Sequence, residues 1–182
     1  MLVLKKNICL TGFMGSGKTS VGQILARKLR IKFWDSDAML EQKLGMSINA
    51  IFRHKGEGFF RDRETEILTI LGQKPPGSCV VATGGGAVLR AENRTALRAR
   101  GFIVYLDVSA AEACRRLQGT KERPLLQGVD FQAKITALLA ARRPLYQQAD
   151  YIVDTVGKNP AEVAGEIIKA ITSCLRREGK NI

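Results

Sequence analysis

The sequence predicts an α/β protein built as three layers, an open, mostly parallel five-stranded sheet flanked by helices. Three observations carry this. Short apolar runs alternate with longer segments of helical periodicity, the pattern of repeated βαβ units. The apolar runs are continuous rather than alternating, as parallel strands buried on both faces require. The first run passes through a glycine-rich turn straight into an amphipathic segment.

In chain order, residues 8–10 form the first strand. Val21, Ile24, Leu25 and Leu29 then recur at helical spacing before a second strand at 31–34. Ile67, Leu68 and Leu71 mark another helix, and residues 73–77 (Gln-Lys-Pro-Pro-Gly) a turn, before a third strand at 79–82. A fourth strand covers 102–107. Ser109 and Glu112 then have the spacing of a capping box. A long helix ends near Tyr146, and a fifth strand covers 151–153. Asn159 and Pro160 place a cap and a first-turn proline ahead of the last helix. Residues 118–128 are polar and carry Gly119, Pro124 and Gly128, which fits either a plain loop or a mobile lid.

A chain of 182 residues reads as one domain, 1–182, that buries roughly 70% of its open-chain surface. With 45% hydrophobic and 25% charged residues it is neither disordered nor fibrous. No stretch approaches the roughly 18 apolar residues of a membrane span, and Lys5 and Lys6 follow the short apolar start in the wrong order for a secretory signal. A cytoplasmic protein is expected. Cys9, Cys79, Cys114 and Cys174 are widely spaced, and His54 is the one histidine. That spacing excludes the usual zinc motifs and reads as buried thiols rather than a disulfide framework. The net charge of +12 admits nucleic acid, an anionic membrane surface or anionic small molecules. Basic residues are scattered and aromatics make up only 6%, so charge alone leaves the partner open.

The chemistry is carried by Gly12-Phe-Met-Gly15-Ser16-Gly17-Lys18-Thr19, directly after the first strand and before a helix. This is the G-x-x-x-x-G-K-T phosphate-binding loop in its strand–loop–helix setting. Its glycines let backbone N–H groups face phosphate oxygens, and the following helix adds the positive end of its dipole. Lys18 has the reach for the β- and γ-phosphates, and the Thr19 hydroxyl suits Mg²⁺.

Asp35-Ser36-Asp37 follows the second strand, where ligands of α/β sheets bind. One carboxylate suits a metal-bound water and the other an acceptor hydroxyl, although a helix cap draws on the same residues. Thr83-Gly84-Gly85-Gly86 follows the third strand. Three glycines imply either backbone close to a ligand or a flexible turn. Arg61 stands near the start of a helix opening at Phe59, where a cation opposes the dipole. It fits an anion site or a pair with Glu64. Arg123 lies in the 118–128 stretch. Arg142 lies near a helix C-terminus, where dipole compensation is the ordinary explanation.

Taken in order, the phosphate loop, Asp35-Ser-Asp37, Phe60-Arg61-x-x-Glu64, Gly84-Gly85-Gly86, Arg123-Pro-Leu-Leu and Arg142-x-Pro-Leu-Tyr146 resemble the shikimate kinase family. Residues 152–154 and Pro160 resemble its adenine-binding segment. The resemblance implies a fold like that of the P-loop nucleoside monophosphate kinases. It also implies transfer of the γ-phosphate of ATP to the 3-hydroxyl of shikimate, giving 3-phosphoshikimate and ADP. By it, Gly12, Gly15, Ser16, Gly17, Lys18, Thr19 and Ser20 would cradle ATP. Thr19 would bind Mg²⁺, with Asp35 joining through water.

By the same resemblance, Asp37 would be the candidate base at the acceptor hydroxyls. Arg61 and Arg142 would take the shikimate carboxylate, with Gly84, Gly85 and Gly86 packed beside it. Arg123 would enter with a lid at about 116–128 and act catalytically with Lys18 and Asp37. Arg116 would stack on adenine, bordered by Lys158 and Pro160; lysine stands at 158 where the family often carries arginine. The acceptor segment would be about 37–64, and the protein a monomer bound to neither membrane nor nucleic acid. The alternatives are another small-molecule kinase such as a gluconate kinase, a nucleoside monophosphate kinase, or a nucleic-acid-binding P-loop ATPase.

Overall fold

The computed structural model describes residues 4–118 and 130–177. Five strands, β1 (Asn7–Thr11), β2 (Lys32–Asp35), β3 (Cys79–Ala82), β4 (Gly101–Asp107) and β5 (Tyr151–Asp154), pair in the order β2-β3-β1-β4-β5. All four pairings are parallel, with Ile8 opposite both Val80 and Phe102. The helices are α1 (Lys18–Leu29), α2 (Ser36–Leu44), α3 (Ile48–Gly72), α4 (Ala91–Arg100), α5 (Ala110–Leu117), α6 (Phe131–Tyr146) and α7 (Pro160–Arg177). A single 3₁₀ turn spans Ala87–Leu89.

The expected strands are thus present to within one residue at each end. On one face of the sheet, Val21 and Leu25 of α1 and Val163, Ile167 and Ile171 of α7 pack on Ile8, Leu10 and Val104. The other face carries two clusters. Leu40, Ile51, Phe60 and Leu68 of α2 and α3 cover Cys9, Val81 and Ile103. Leu117, Ile135, Leu139 and Tyr146 of α5 and α6 cover Phe13 and Tyr105. Cys9, Cys79 and Cys114 are buried, and Cys174 is half-buried.

Because β1 lies between β3 and β4, the chain leaves the sheet in opposite directions on either side of it. The crevice at the strands' C-terminal ends therefore opens beside β1. The phosphate loop, Asp35 and the three glycines all occupy strand ends that face this crevice.

Two local expectations change. The helix expected to open at Phe59 begins at Ile48 under a Ser47 cap and breaks at Gly56 (φ 81°, ψ 170°). Arg61 therefore sits in the second turn after that break. Ser109 does cap α5, accepting from the Glu112 N–H at 3.1 Å, but the Glu112 carboxylate turns to Arg115 and Arg116. The reciprocal box forms instead at α7, where Asn159 Oδ1 accepts from Glu162 N and Glu162 Oε2 accepts from Asn159 N. The helix-cap reading at Asp35-Ser36-Asp37 is met by α2, while α4 has no counterpart in the sequence reading.

Candidate active site

The phosphate loop leaves β1 with Gly12 at φ 143°, where a Cβ would meet the Leu106 carbonyl oxygen at 2.6 Å. Only glycine fits that close approach. Lys18 is buried, and its ammonium donates to the carbonyls of Gly12 and Phe13, both at 2.8 Å, and to Ser16 Oγ at 3.3 Å. The charge is thus held inside the loop. A cavity of about 230 Å³ opens here, lined by Gly15, Gly17, Lys18, Thr19, Ser20 and Asp35 among others.

Asp35 performs two tasks. Its Oδ1 accepts from the N–H groups of Asp37 and Ala38, capping α2, while Oδ2 accepts from Thr19 Oγ1 at 2.7 Å. The cap and the site are compatible, because a carboxylate has two oxygens. Ser36 is buried and accepts from the Gly84 N–H at 3.0 Å, tying this segment to the glycine loop. Thr19 and Asp35 offer adjoining hard oxygen atoms beside the phosphate loop. That donor set fits Mg²⁺, which keeps several waters and needs only one or two protein oxygens.

A larger cavity of about 410 Å³ lies against the first, lined by Asp37, Arg61, Glu64, the three glycines and Arg142. Ile48, Phe52, Phe60 and Met14 give it an apolar wall. The two cavities share Met14, Thr19, Asp35, Asp37 and Gly85. Asp37 therefore stands where they meet.

The three glycines are explained by their neighbours. None of Gly84, Gly85 and Gly86 has positive φ. Instead, a Cβ on Gly84 would lie 2.7 Å from both Asp37 Oδ1 and Glu64 Oε1, and one on Gly86 would lie 2.4 Å from both terminal nitrogens of Arg61. Gly84 and Gly86 are small so that the charged side chains can enter the cavity, whereas Gly85 lies against the phosphate-loop backbone, where its Cβ would stand 3.2 Å from Met14 N.

Arg61 is buried and clamped. Nη1 donates to Glu64 Oε2 at 2.7 Å, and Nε and Nη2 donate to Glu57 Oε1 at 3.2 and 3.0 Å. The pair with Glu64 forms, and it holds Arg61 on the cavity wall. Arg142, only 5% exposed, also lines the cavity, with its guanidinium 6.0 Å from the centre of the Phe13 ring. Such burial is more than compensation of a helix dipole at the surface requires. Arg143 takes the surface role, pairing with Asp107.

Glu64 is the residue the sequence underrated. It is 1% exposed, and its Oε1 accepts no hydrogen bond among the described residues. Burial pushes its carboxyl up, against the pull of Arg61, Arg142 and Arg90. An oxygen so placed is free to accept from a bound hydroxyl. Its i+3 spacing from Arg61 was visible, but its burial was not.

The residues expected beside adenine are engaged within the chain. Arg116 donates to Glu112, to the Gly15 carbonyl at 3.1 Å and to the Thr155 carbonyl at 2.8 Å. Lys158 is turned to Glu166 at 2.9 Å, and Pro160 begins α7. Arg123 and the lid segment from residue 119 onward lie outside the described residues.

A family model described as Shikimate kinase matches residues 14–172. The shikimate kinase of Thermodesulfovibrio yellowstonii is 47% identical over 164 residues, 90% of this chain and 94% of that one. Among solved structures, shikimate kinase from Acinetobacter baumannii in complex with shikimate is 41% identical with a TM-score of 0.89, covering 92% of this chain and 93% of that one. A gluconokinase from Sinorhizobium meliloti shares the fold alone, with 18% identity and a TM-score of 0.61 over 96% and 95% of the chains.

Proposed function

Since the chain belongs to the shikimate kinase family, whose members are ATP-dependent kinases acting on a hydroxyl of shikimate, we propose that its two joined cavities hold ATP and shikimate on either side of Asp37. The observation that carries this is the shared wall at Thr19, Asp35 and Asp37. ATP would lie along the phosphate loop from Gly12 to Ser20. Lys18 would exchange the carbonyls of Gly12 and Phe13 for phosphate oxygens. Thr19 and Asp35 would hold Mg²⁺, which supplies charge neutralisation to the phosphates.

Shikimate would present its carboxylate to Arg61 and Arg142 and its ring to Phe52 and Phe60. A carboxylate against two guanidinium groups is fixed in direction as well as in place. Glu64 Oε1 would accept from one ring hydroxyl and Asp37 from the 3-hydroxyl. As that oxygen bonds to the γ-phosphorus, its proton passes to Asp37 and the bond to the bridging oxygen of ADP breaks. Positioning supplies most of the acceleration, since phosphoryl transfer asks little covalent chemistry of the protein. Arg123 would complete the phosphate site. Adenine would lie between Arg116 and the turn leading to Pro160, whereas Lys158 is engaged by Glu166.

The net charge of +12 then serves two anionic substrates, and the protein acts as a cytoplasmic monomer without nucleic acid. Among the described residues no helix is long and apolar enough to cross a membrane. The test is ADP release from Mg·ATP with shikimate, with gluconate and with no acceptor. Turnover that depends on shikimate supports the reading. Turnover with gluconate, or hydrolysis indifferent to either acid, defeats it.

A further inference from the structure

The Arg142-x-Pro-Leu-Tyr146 motif contains a tyrosine that the reaction as described does not use. Tyr146 is 1% exposed, at the end of α6 one helical turn beyond Arg142. Its hydroxyl donates to the Gly85 carbonyl at 2.5 Å. Arg142 Nη1 lies 3.5 Å from the same oxygen, at the outer limit of a hydrogen bond. Gly85 lines both cavities. The ring of Tyr146 stacks on Tyr105, with centroids 5.0 Å apart and planes inclined by 18°.

We infer that Tyr146 is a positioning residue: its hydroxyl satisfies the Gly85 carbonyl so that the Arg142 guanidinium stays directed at the substrate carboxylate. This rests on the acid-site reading above. The Gly85 carbonyl is half-buried, and the buried arginine beside it would supply a donor if the phenol did not. Arg142 would then be drawn from 3.5 Å to ordinary bonding distance and away from the acid. The phenol suits the task because it stays a donor. Burial pushes it up to about 12, so it keeps its proton throughout the working pH range. Arg142 also hydrogen-bonds the phenol, Arg61 and Glu64 act on it through their charges, and Tyr105 stacks against it.

Tyr146→Phe keeps the ring and its stacking and removes only the hydroxyl. The expected result is a KM for shikimate raised roughly tenfold, with the KM for ATP within about a factor of two. Tyr105→Phe is the control, because its hydroxyl goes to Asp107 at 2.6 Å, outside both cavities. That variant should leave both KM values unchanged. Combining Tyr146→Phe with Arg142→Lys should cost less than the product of the single effects, since the two act through one group. Equal rises in both KM values, an equal effect of Tyr105→Phe, or full multiplicativity with Arg142→Lys would each overturn the inference. Wild-type protein assayed alongside separates the cases, for absence of shikimate-dependent turnover there would defeat the acid-site reading instead.

Discussion

Gly86→Ala adds one methyl group at a position whose backbone, φ −97° and ψ 0°, alanine adopts freely. Its effect is therefore set by space alone. The new Cβ would stand 2.4 Å from Arg61 Nη1 and Nη2, whereas a comfortable contact needs about 3.5 Å. Either the guanidinium or the glycine loop must move by roughly 1 Å to reach that separation. Arg61 cannot swing aside cheaply, because the buried Glu64 holds it at 2.7 Å and the half-exposed Glu57 at 3.0 Å. A displacement of that size at a substrate-orienting arginine is worth roughly 10- to 100-fold, and it should appear in the KM for shikimate. Overpacking of about 1–3 kcal/mol, at about 2–4 °C per kcal/mol, should also lower Tm by about 2–12 °C. Steady-state kinetics with each substrate varied in turn, alongside a thermal melt, reads both quantities. A folded Gly86→Ala protein with unchanged KM for shikimate would refute the placement of Arg61 at the acid.

Two further outcomes are expected. Asp37→Asn should lower kcat at least about a hundredfold while leaving ATP affinity within a few-fold, because Asp35 rather than Asp37 supplies the α2 cap; a change in Tm alone would deny Asp37 its chemical role. Hydrogen bonds from Arg115, and then from Arg116, hold the Glu112 carboxyl down at about 2 against an ordinary 4.5. Stability from this carboxylate is therefore complete above pH 4.5 and lost as pH falls toward 2. The Tm difference between wild type and Glu112→Gln should shrink over that window, and a difference independent of pH would contradict the assignment.

The fold was largely legible because five continuous apolar runs mark strands buried on both faces, and the glycine loop fixes where the first one ends. Helix α4 was not, and α2 showed only its cap residues, for a physical reason. In α4 only Asn93 and Leu97 are buried, and in α2 only Ser36 and Leu40, so neither displays an apolar stripe. The break at Gly56 was equally hidden, since glycine within a helical pattern does not disclose its φ. In the site, Lys18 was legible from the phosphate-loop pattern, Asp35 and Asp37 from their place after the second strand, and Arg61 as a cation set against a helix dipole, whereas Arg142 entered only through the family resemblance. What spacing could not disclose was the meaning of the three glycines. The smallness of Gly84 and Gly86 answers to Asp37, Glu64 and Arg61, side chains brought to them from α2 and α3, and that of Gly85 to the phosphate-loop backbone. Glu64 stayed in the background for the same reason, because an i+3 partner of arginine on a surface helix is ordinary and only burial makes it notable.

Arg142→Ala provides the most direct test of one acid site joined to one phosphate site. Its side chain is buried against the larger cavity and does not line the phosphate-loop cavity. The decisive measurement is the pair of KM values, for shikimate and for ATP, in this variant against wild type. A large rise for shikimate with ATP nearly unchanged is the expected result. A rise confined to ATP, or an equal rise for both, would contradict the division of the crevice into those two sites.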